Sequence, residues 1–316
     1  MPLRFDYRPY VRAFKSPLQT AHGRWAQREG ILIRLEVEGR VGFGEIAPIP
    51  WFGTETLDQA EEFCAPLARR VDLSPFPVPR NLPACEFAIA AALQSLSASP
   101  YHLKLVPARV CALLPAGEAV LTAWEEPWQK GHRTFKWKIG GYPLDLELSW
   151  FEALCSRLPA SARLRLDANG GLTLEESQQW LTACDGKAAI EFLEQPLPPS
   201  QLNDLMALNH PSLTPLALDE SVANCDQLEN HLRKGWNGIV VVKPAIAGSP
   251  HRLQALCRKY NADAVVSSAF ETGVGRQAVL ALAEDISPHR ALGFGTGDRC
   301  WDDWDHLSGE ELWERL

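Results

Sequence analysis

Short apolar runs alternate with amphipathic stretches along the chain from residue 106 onward. The runs are short and have the composition of buried strands. They cover eight segments: 108–114, 133–139, 162–168, 189–195, 215–221, 238–244, 263–269 and 291–297. Strands that alternate with helices indicate βαβ units and a parallel sheet. Eight such strands in this part of the chain favour a closed (β/α)8-type barrel over an open sheet.

The stretches between these runs have the apolar periodicity of helices. Thr173, with Glu176 three residues later, has the pattern of a capping box at a helix start. The glycine-bearing segment "ETGVGRQ" (271–277) lacks the Gly-Lys-Ser/Thr of a phosphate loop, and no Gly-x-Gly-x-x-Gly follows the first run. A nucleotide-binding fold is therefore not favoured.

Residues 1–105 follow a different pattern. Residues 30–39 alternate like an antiparallel strand, segments 55–70 and 85–96 have helical periodicity, and 71–83 is a proline-rich connector. We expect an α+β domain here, ahead of a barrel domain. The tail is too polar and aromatic for another barrel unit, and we expect it to return to the first domain.

Composition narrows the possible partners and the compartment. The net charge of −8 argues against nucleic acid or an anionic membrane as a partner. No apolar run reaches the ~20 residues of a membrane span, and the first residues are too polar for a signal peptide. The eight cysteines are scattered without a Cys-x-x-Cys pair, which predicts neither a zinc cluster nor a disulfide scaffold. A reducing cytoplasm fits this pattern best.

Charged residues end five consecutive runs, at the strand ends where a barrel carries its chemistry. Buried strand ends seldom hold charges that lack a partner or a metal. The lysines are Lys136 and Lys138 in the second run and Lys243 at the end of the sixth. The carboxylates between them, on runs three to five, are Asp167, Glu194 and Asp219.

The order of strands around a barrel gives these charges a geometry. Runs three, four and five are neighbours, so the three carboxylates converge, whereas Lys138 and Lys243 face each other across the barrel. Carboxylates without His or Cys suit Mg²⁺, with Mn²⁺ as a substitute. Asp219 and Glu220 are adjacent, so spacing alone leaves the choice of ligand open. A small-molecule carboxylate held there predicts proton abstraction next to the carboxylate, with the metal and a lysine stabilising the enediolate.

The two lysines of the second run share one face, because side chains in a strand alternate with period two. A solvent-facing Lys-x-Lys pair would have no function, and a single Asp at a strand end is more often a cap or turn residue. Five consecutive runs that end in a charge of the required sign favour the active-site interpretation. On this interpretation Lys136 helps to keep Lys138 a usable base.

The series "TFKWKIG", "LRLDANGG", "FLEQPL", "LALDES" and "VVVKP" resembles the enolase superfamily, specifically its muconate-lactonizing-enzyme subgroup, over most of the chain. The resemblance implies an α/β fold: a (β/α)7β TIM-like barrel at 106–299 and an N-terminal α+β capping domain at 1–105, with the tail 300–316 returning to the cap. It further implies Mg²⁺ ligands at Asp167, Glu194 and Asp219. The implied acid/base pair is Lys138 and Lys243, modulated by Lys136.

Within this subgroup the chain most resembles the compact o-succinylbenzoate synthases of menaquinone or phylloquinone biosynthesis. The eighth run lacks the Asp-x-Asp of dipeptide epimerases and the acidic residue of cycloisomerases, since Asp298 follows the run. The implied reaction is the syn dehydration of 2-succinyl-6-hydroxy-2,4-cyclohexadiene-1-carboxylate. Arg165 matches an arginine of similar synthases, and the residues expected to contact a succinyl carboxylate are Ser267, Ser268 and Gly293.

The cap is expected to supply specificity. Residues 16–30 are predicted to form a mobile lid loop, and loop 47–56 offers Trp51 and Phe52 as an apolar wall. Ordinary surface loops remain the alternative for both. An N-acylamino acid racemase or dipeptide epimerase of the same superfamily, and an anion-binding barrel without turnover, are the rival functions. The sequence does not set the oligomeric state, and a monomer is compatible with it.

Overall fold

The computed structural model describes residues 3–20, 23–68, 78–97, 103–210, 214–297 and 299–316. Three features predicted from sequence therefore fall wholly or partly outside the described residues: the tip of the predicted lid, most of the proline-rich connector and Asp298.

The N-terminal part forms an antiparallel sheet of three strands in the order β1-β2-β3, which are Arg4–Thr20, Gly23–Val37 and Arg40–Ile46. The strand predicted at 30–39 lies largely within β2. Its apolar residues are buried on both faces: Ile31, Ile33 and Leu35 join the main core, whereas Leu32 packs against the C-terminal tail. Coverage on both sides explains why Ile31, Leu32 and Ile33 are apolar in succession.

The prediction of a loop at 16–30 was wrong, because the described residues of this stretch form strands. Strand β1 continues to Thr20, β2 begins at Gly23, and Leu18 pairs with Trp25 across the hairpin. The polar composition of this stretch reflects exposed strand positions rather than a loop, because a two-stranded extension has few neighbours to bury it. In the second predicted loop, Pro50–Phe52 form one turn of 3₁₀ helix.

Two helices cover the N-terminal sheet, α1 (Leu57–Leu67) and α2 (Pro83–Ser97). Helix α2 lies directly on β3 because the strand carries glycine where the two backbones meet. A Cβ on Gly44 would lie 2.1 Å from the carbonyl oxygen of Ala88. Glycine is needed here for close approach.

The second sheet is parallel and curled, with seven strands in the order β10-β9-β8-β7-β6-β5-β4. Each strand lies inside a run predicted from sequence. The strands are β4 (Cys111–Leu114), β5 (Thr134–Lys138), β6 (Arg163–Asp167), β7 (Ile190–Glu194), β8 (Leu216–Leu218), β9 (Ile239–Val242) and β10 (Ala264–Val266).

The eighth run, 291–297, forms isolated bridges instead of a strand. Leu292 accepts a hydrogen bond from Cys111 N at 2.9 Å, at one edge of the sheet, and Gly293 N donates to Val266 O at 2.8 Å, at the other. A Cβ on Gly293 would lie 2.6 Å from Ser267 Oγ, so the chain passes too close for a side chain there. Leu292 thus bonds to one edge of the curled sheet and the neighbouring Gly293 bonds to the other.

Helices lie outside the parallel sheet, and Trp137 of β5 packs edge-on against Trp180, with ring centroids 6.1 Å apart. The capping box predicted at Thr173 and Glu176 is confirmed. None of the helices within the described ranges is long and apolar enough to cross a membrane. The helices are α3 (Val120–Ala123), α4 (Glu125–Gln129), α5 (Leu144–Arg157), α6 (Leu174–Cys184), α7 (Leu202–Leu208), α8 (Cys225–Arg233), α9 (Pro244–Ala247), α10 (Pro250–Tyr260), α11 (Gly273–Ile286) and α12 (Gly309–Arg315).

The C-terminal tail lies against the N-terminal sheet. Leu312 and Trp313 of α12 pack with Leu32 in a small buried cluster, and the guanidinium of Arg8 stands 4.3 Å from the centre of the Trp313 ring. The tail thus covers the face of β2 that the main core leaves open.

We predict that Gly44→Ala destabilises the protein by about 3 kcal/mol, because the new methyl group must push β3 and α2 apart. Urea denaturation measures this free energy of unfolding. Gly141→Ala is the matched control, since a Cβ at Gly141 meets nothing within 4 Å. Equal stability of the two variants would contradict the close-approach explanation.

Candidate active site

The inward face of the parallel sheet carries two layers of side chains. The lower layer includes a buried apolar cluster of Phe192, Ala217, Ile239, Val241 and Val265. Side chains alternate with period two, so residues two positions further on stand above this layer at the carboxyl ends of the strands, which we call the mouth. On β7 to β10 the mouth residues are Glu194, Asp219, Lys243 and Ser267.

The three predicted carboxylates lie on neighbouring strands and are buried. Asp167 ends β6 and pairs in register with Glu194 at the end of β7, while Asp219 directly follows β8. Their exposed fractions are 2%, 1% and 5%. Three carboxylates this close to each other and away from water need positive charge nearby.

Lys136 supplies much of that charge. Its Nζ lies 2.8 Å from Asp167 Oδ2 and 2.8 Å from Glu194 Oε1. Burial alone would lower the pKa of Lys136, but the three carboxylates together raise it well above its usual value. Opposite charges therefore keep Lys136 a cation. Its nearest charged groups are carboxylates and not other lysines. Its expected effect on Lys138 stays a prediction.

The carboxyl groups respond unequally to this environment. Burial acts to raise the pKa of Asp167, but the charges of Lys136 and Lys138 outweigh it and lower that pKa. Burial and the charge of Asp167 raise the pKa of Glu194. Burial and the charge of Asp219 likewise raise the pKa of Glu220. The mouth thus concentrates more negative charge than its protein surroundings fully balance.

Lys138 and Lys243 stand on strands that are far apart in the sheet. Lys138 ends β5 and is exposed at the mouth, in register with Asp167. Lys243 follows β9, is ion-paired with Asp219, and has its Nζ 4.0 Å from the centre of the Phe52 ring. The cap loop therefore reaches the mouth through Phe52. A lysine on each side of the carboxylates suits proton transfer on two faces of one substrate.

The donor set can be compared with the needs of a divalent cation. Within the described residues, no three His, Cys, Asp or Glu side chains form a ready-made metal site, and Lys136 and Lys243 face the carboxylates. The chemistry of the donors nevertheless fits Mg²⁺, since all are carboxylate oxygens. In addition, the buried Oε2 of Glu220 has no hydrogen-bond partner among the described residues. A cation at the mouth would balance this excess of negative charge.

Sequence reasoning missed Gln195, which fixes the backbone next to the carboxylates. This buried residue, with φ of +38°, accepts hydrogen bonds from Asp219 N at 3.0 Å and Ser221 N at 3.2 Å. Its amide donates to Leu197 O at 2.8 Å. The polar residue between Glu194 and a proline was the available signal. Gln195 ties the ends of β7 and β8 together.

Arg165 lies below the mouth, in the lower layer. Its guanidinium stacks on Phe192 at 4.9 Å and donates to both carboxylate oxygens of Glu191, at 2.7 and 3.2 Å. Arg290 binds the same Glu191 at 2.6 Å and reaches Asp263. Arg165 thus points away from the mouth and forms part of the floor beneath the carboxylates. Its expected contact with substrate stays a prediction.

The two predicted serines face opposite ways. Ser267 follows Val265 on the inward face, and its hydroxyl donates to Gly293 O at 3.2 Å. Ser268 is buried on the outward side, where its hydroxyl donates to Glu271 at 3.1 Å. The structure therefore brings Ser267 and Gly293 to the mouth and turns Ser268 away, because adjacent residues of a strand point to opposite faces.

Apolar residues complete the mouth. Trp51 is 39% exposed and packs edge-on against Trp25 of the hairpin, with ring centroids 4.9 Å apart. Leu113 of β4, which sequence reasoning missed, pairs in register with Lys136 and is also 39% exposed. Its place at the apolar end of the predicted run 108–114 is the signal that could have identified Leu113. The expected role of Trp51 as an apolar wall stays a prediction.

Two family models match the chain. The model described as "Enolase C-terminal domain-like" covers residues 119–310, and the one described as "MenC, N-terminal domain" covers residues 7–96. Together with the curled parallel sheet and the charged residues at its strand ends, these matches show that the chain belongs to the enolase superfamily. The resemblance drawn from sequence is confirmed.

The chain is 40% identical to the o-succinylbenzoate synthase of Thermosynechococcus vestitus over 326 aligned residues, which cover 99% of each protein. It matches the crystal structure of o-succinylbenzoate synthase from Thermosynechococcus elongatus BP-1, complexed with Mg in the active site, at 40% identity and a TM-score of 0.91. That match covers 99% of this chain and 100% of the other. The chain belongs to the o-succinylbenzoate synthase family. The L-Ala-D/L-Glu epimerase from Bacillus subtilis shares the fold, with a TM-score of 0.78 and 20% identity over 95% of this chain and 91% of its own.

The contacts of Glu191 predict a pH-dependent stability. Burial acts to raise its pKa, but Arg165 and Arg290 outweigh burial and lower it. A lowered carboxyl pKa stabilises the folded state above the unfolded pKa of about 4.3, and the stabilisation is lost as the pH falls through the acid range. Glu191→Gln should cost about 3–5 kcal/mol at pH 7, since Arg165 would lose its buried partner.

The difference in unfolding free energy between wild type and Glu191→Gln should therefore shrink as denaturation is repeated from pH 7 down to pH 3. Asp263→Asn is the control, because Asp263 pairs with the same Arg290 but is half exposed. A Glu191→Gln difference that stays constant with pH would refute this account of the floor.

Proposed function

We propose that this protein is an o-succinylbenzoate synthase, a hydro-lyase that dehydrates 2-succinyl-6-hydroxy-2,4-cyclohexadiene-1-carboxylate to 2-succinylbenzoate in menaquinone or phylloquinone biosynthesis. The observation that carries the proposal is the mouth itself. Buried carboxylates lie between Lys138 and Lys243, in a chain 40% identical to such a synthase over nearly its full length. Full-length similarity matters because fold alone does not fix the reaction.

Asp167, Glu194 and Asp219 would hold the Mg²⁺ ion, as the chemistry of the donors and the Mg-complexed relative support; Mn²⁺ is a substitute with the same ligand preference. When bound, the ion supplies positive charge next to the substrate carboxylate and so favours loss of the neighbouring proton. Lys136, now shared between Asp167 and Glu194, would then have to share these carboxylates with the ion.

Lys138 is the base. Its amine takes the proton from the carbon next to the substrate carboxylate, and the electron pair of that C–H bond passes into the enediolate. The C–O bond to the ring hydroxyl then breaks, and Lys138 returns the proton to the departing hydroxide, which leaves as water. One residue performs both transfers because the proton and the hydroxyl leave from the same side. The product ring is aromatic, which drives the step forward.

Lys243 stays protonated on the opposite face. Its ion pair with Asp219 and its contact with the Phe52 ring hold the ammonium beside the carboxylates. From there it stabilises the negative charge of the enediolate. Two lysines with different partners can thus hold different roles in one step.

The remaining predicted residues take supporting roles in this proposal. Ser267 and Gly293 would contact the succinyl carboxylate, and Trp51 would form the apolar wall. Ser268 and Arg165 would support the loop and the floor, in keeping with the contacts of their side chains.

We also propose the (β/α)7β barrel at 106–299 and the capping domain at 1–105 with the tail 300–316. Support comes from the two separate sheets, from the bridges that residues 292–293 make to both edges of the parallel one, and from the packing of α12 on β2. Free thiols at all eight cysteines support a reducing cytoplasm. The net charge supports a small-molecule partner rather than nucleic acid. A monomer is compatible with the contacts described above.

The direct test follows loss of the cyclohexadiene by absorbance, with Mg²⁺ and with excess chelator. We expect turnover that stops with chelator and returns with Mg²⁺. Lys138→Ala should lower kcat about 10²–10⁴-fold, because it removes the group that moves the proton. Lys130→Ala, which removes an exposed lysine outside the mouth, should leave kcat unchanged.

Absence of turnover in folded, Mg²⁺-loaded wild type would reject the proposal. Exchange of the α-deuterium of N-acylamino acids under those conditions would instead indicate a racemase. Full activity in Lys138→Ala would reject the assigned base.

A further inference from the structure

The loop between β10 and α11 carries Ser267 and runs into the glycine-bearing segment 271–277, to which sequence reasoning gave no function. This loop is held from the N-terminal sheet. The contact comes from Glu45, a residue of β3 with no exposed surface.

Both carboxylate oxygens of Glu45 accept hydrogen bonds from the start of α11. Thr272 N lies 2.9 Å from Oε1 and 3.0 Å from Oε2, and Gly275 N lies 3.0 Å from Oε2. The hydroxyl groups of Thr272 and Tyr10 also donate to this carboxylate. Two backbone N–H groups and two hydroxyls thus converge on one buried side chain, and charged hydrogen bonds of this kind are strong.

The glycines of the segment make room for this carboxylate. A Cβ on Gly275 would lie 2.9 Å from Glu45 Oε2 and 3.0 Å from Glu271 Cβ. A Cβ on Gly273 would lie 2.8 Å from the carbonyl oxygen of Leu307 in the tail. The segment is therefore fitted to Glu45 and to the tail, and its glycines have a packing reason that needs no phosphate.

The residue before Thr272, Glu271, holds the rest of the loop by further hydrogen bonds. Glu271 accepts from Ala269 N at 2.6 Å and from the Ser268 hydroxyl at 3.1 Å. Ser268 Oγ in turn accepts from Phe270 N at 2.9 Å. Phe270 has φ of +61°, a left-handed conformation that is unfavourable for such a side chain unless its surroundings hold it. The next residue back from Ser268 is Ser267, at the mouth.

We propose that Glu45 is a positioning residue: it holds the β10–α11 loop so that Ser267 faces the mouth and binds a carboxylate of the substrate. The N-terminal sheet thereby sets substrate affinity through Glu45, whose side chain is buried away from the mouth. The substrate part of this inference rests on the proposed function, whereas the positioning of the loop does not.

Glu45→Gln tests the proposal with almost no change in shape. An amide has one oxygen and one NH₂ group, and both positions face backbone N–H groups that can only donate. The NH₂ group must therefore oppose a donor, and the loop should shift. We expect KM for the cyclohexadiene to rise about tenfold while kcat stays within about threefold, since a tenfold change corresponds to about 1.4 kcal/mol of binding.

A second pair of variants covers the case that Glu45→Gln fails to fold. Thr272→Val removes the hydroxyl that donates to Glu45 and that also caps α11 by accepting from Val274 N at 3.3 Å, and it should raise KM in the same way. Thr272→Ser keeps the hydroxyl and should keep KM at the wild-type value. The matched control is Glu176→Gln, which makes the same chemical change in the exposed capping box of α6. Its KM should equal that of wild type.

Hydrogen exchange separates this proposal from the proposed function. The amides of residues 268–275 should exchange about tenfold faster in Glu45→Gln than in wild type, and at the wild-type rate in Glu176→Gln, whether or not the diene is turned over. An unchanged KM in a folded Glu45→Gln variant, a loss of kcat at unchanged KM, or unchanged exchange of these amides would overturn the positioning role. Lack of turnover in wild type would overturn only the proposed function and leave exchange to decide the positioning.

Discussion

The balance of charge between buried carboxylates and lysines at the mouth is the interaction on which the site depends. Three acidic groups on adjacent parallel strands are unfavourable away from water unless cations accompany them. Lys136 binds two of them and Lys243 the third, while burial and the charge of Asp167 raise the pKa of Glu194. The strand period of two then places the three carboxylates and Lys243 in one layer, above a floor that holds an apolar cluster and Arg165, so geometry and charge reinforce each other.

Buried glutamates recur as anchors for the loops around this site. Glu147 of α5 accepts from three successive backbone N–H groups in the loop after Lys138, with Gly140 N at 2.7 Å. Glu55, beside the loop that carries Phe52, accepts from two N–H groups at the start of α2. Glu45 does the same for the loop after β10. Each carboxylate satisfies donors that a helix start or loop would leave unpaired, and so fixes active-site loops from outside the mouth.

Much of this arrangement could be predicted from sequence, because strand period and charge position are local properties. The charges from Lys136 to Lys243 each close an apolar run, and seven of the eight runs contain the strands of the parallel sheet. What could not be predicted depends on contacts between distant segments. The hairpin in place of a loop at 16–30, the stacking of Phe52 on Lys243, and the floor contact of Arg165 with Glu191 all need the folded chain. The eighth run differs because its glycine passes close to Ser267, which no local pattern reveals.

The most direct test of the central claim is a crystal structure of the protein with Mg²⁺ and 2-succinylbenzoate. The account predicts one cation bound by Asp167, Glu194 and Asp219, with the ring of the product between Lys138 and Lys243. A cation bound elsewhere, or both lysines on one side of the product, would contradict the claim that these balanced charges form the catalytic centre.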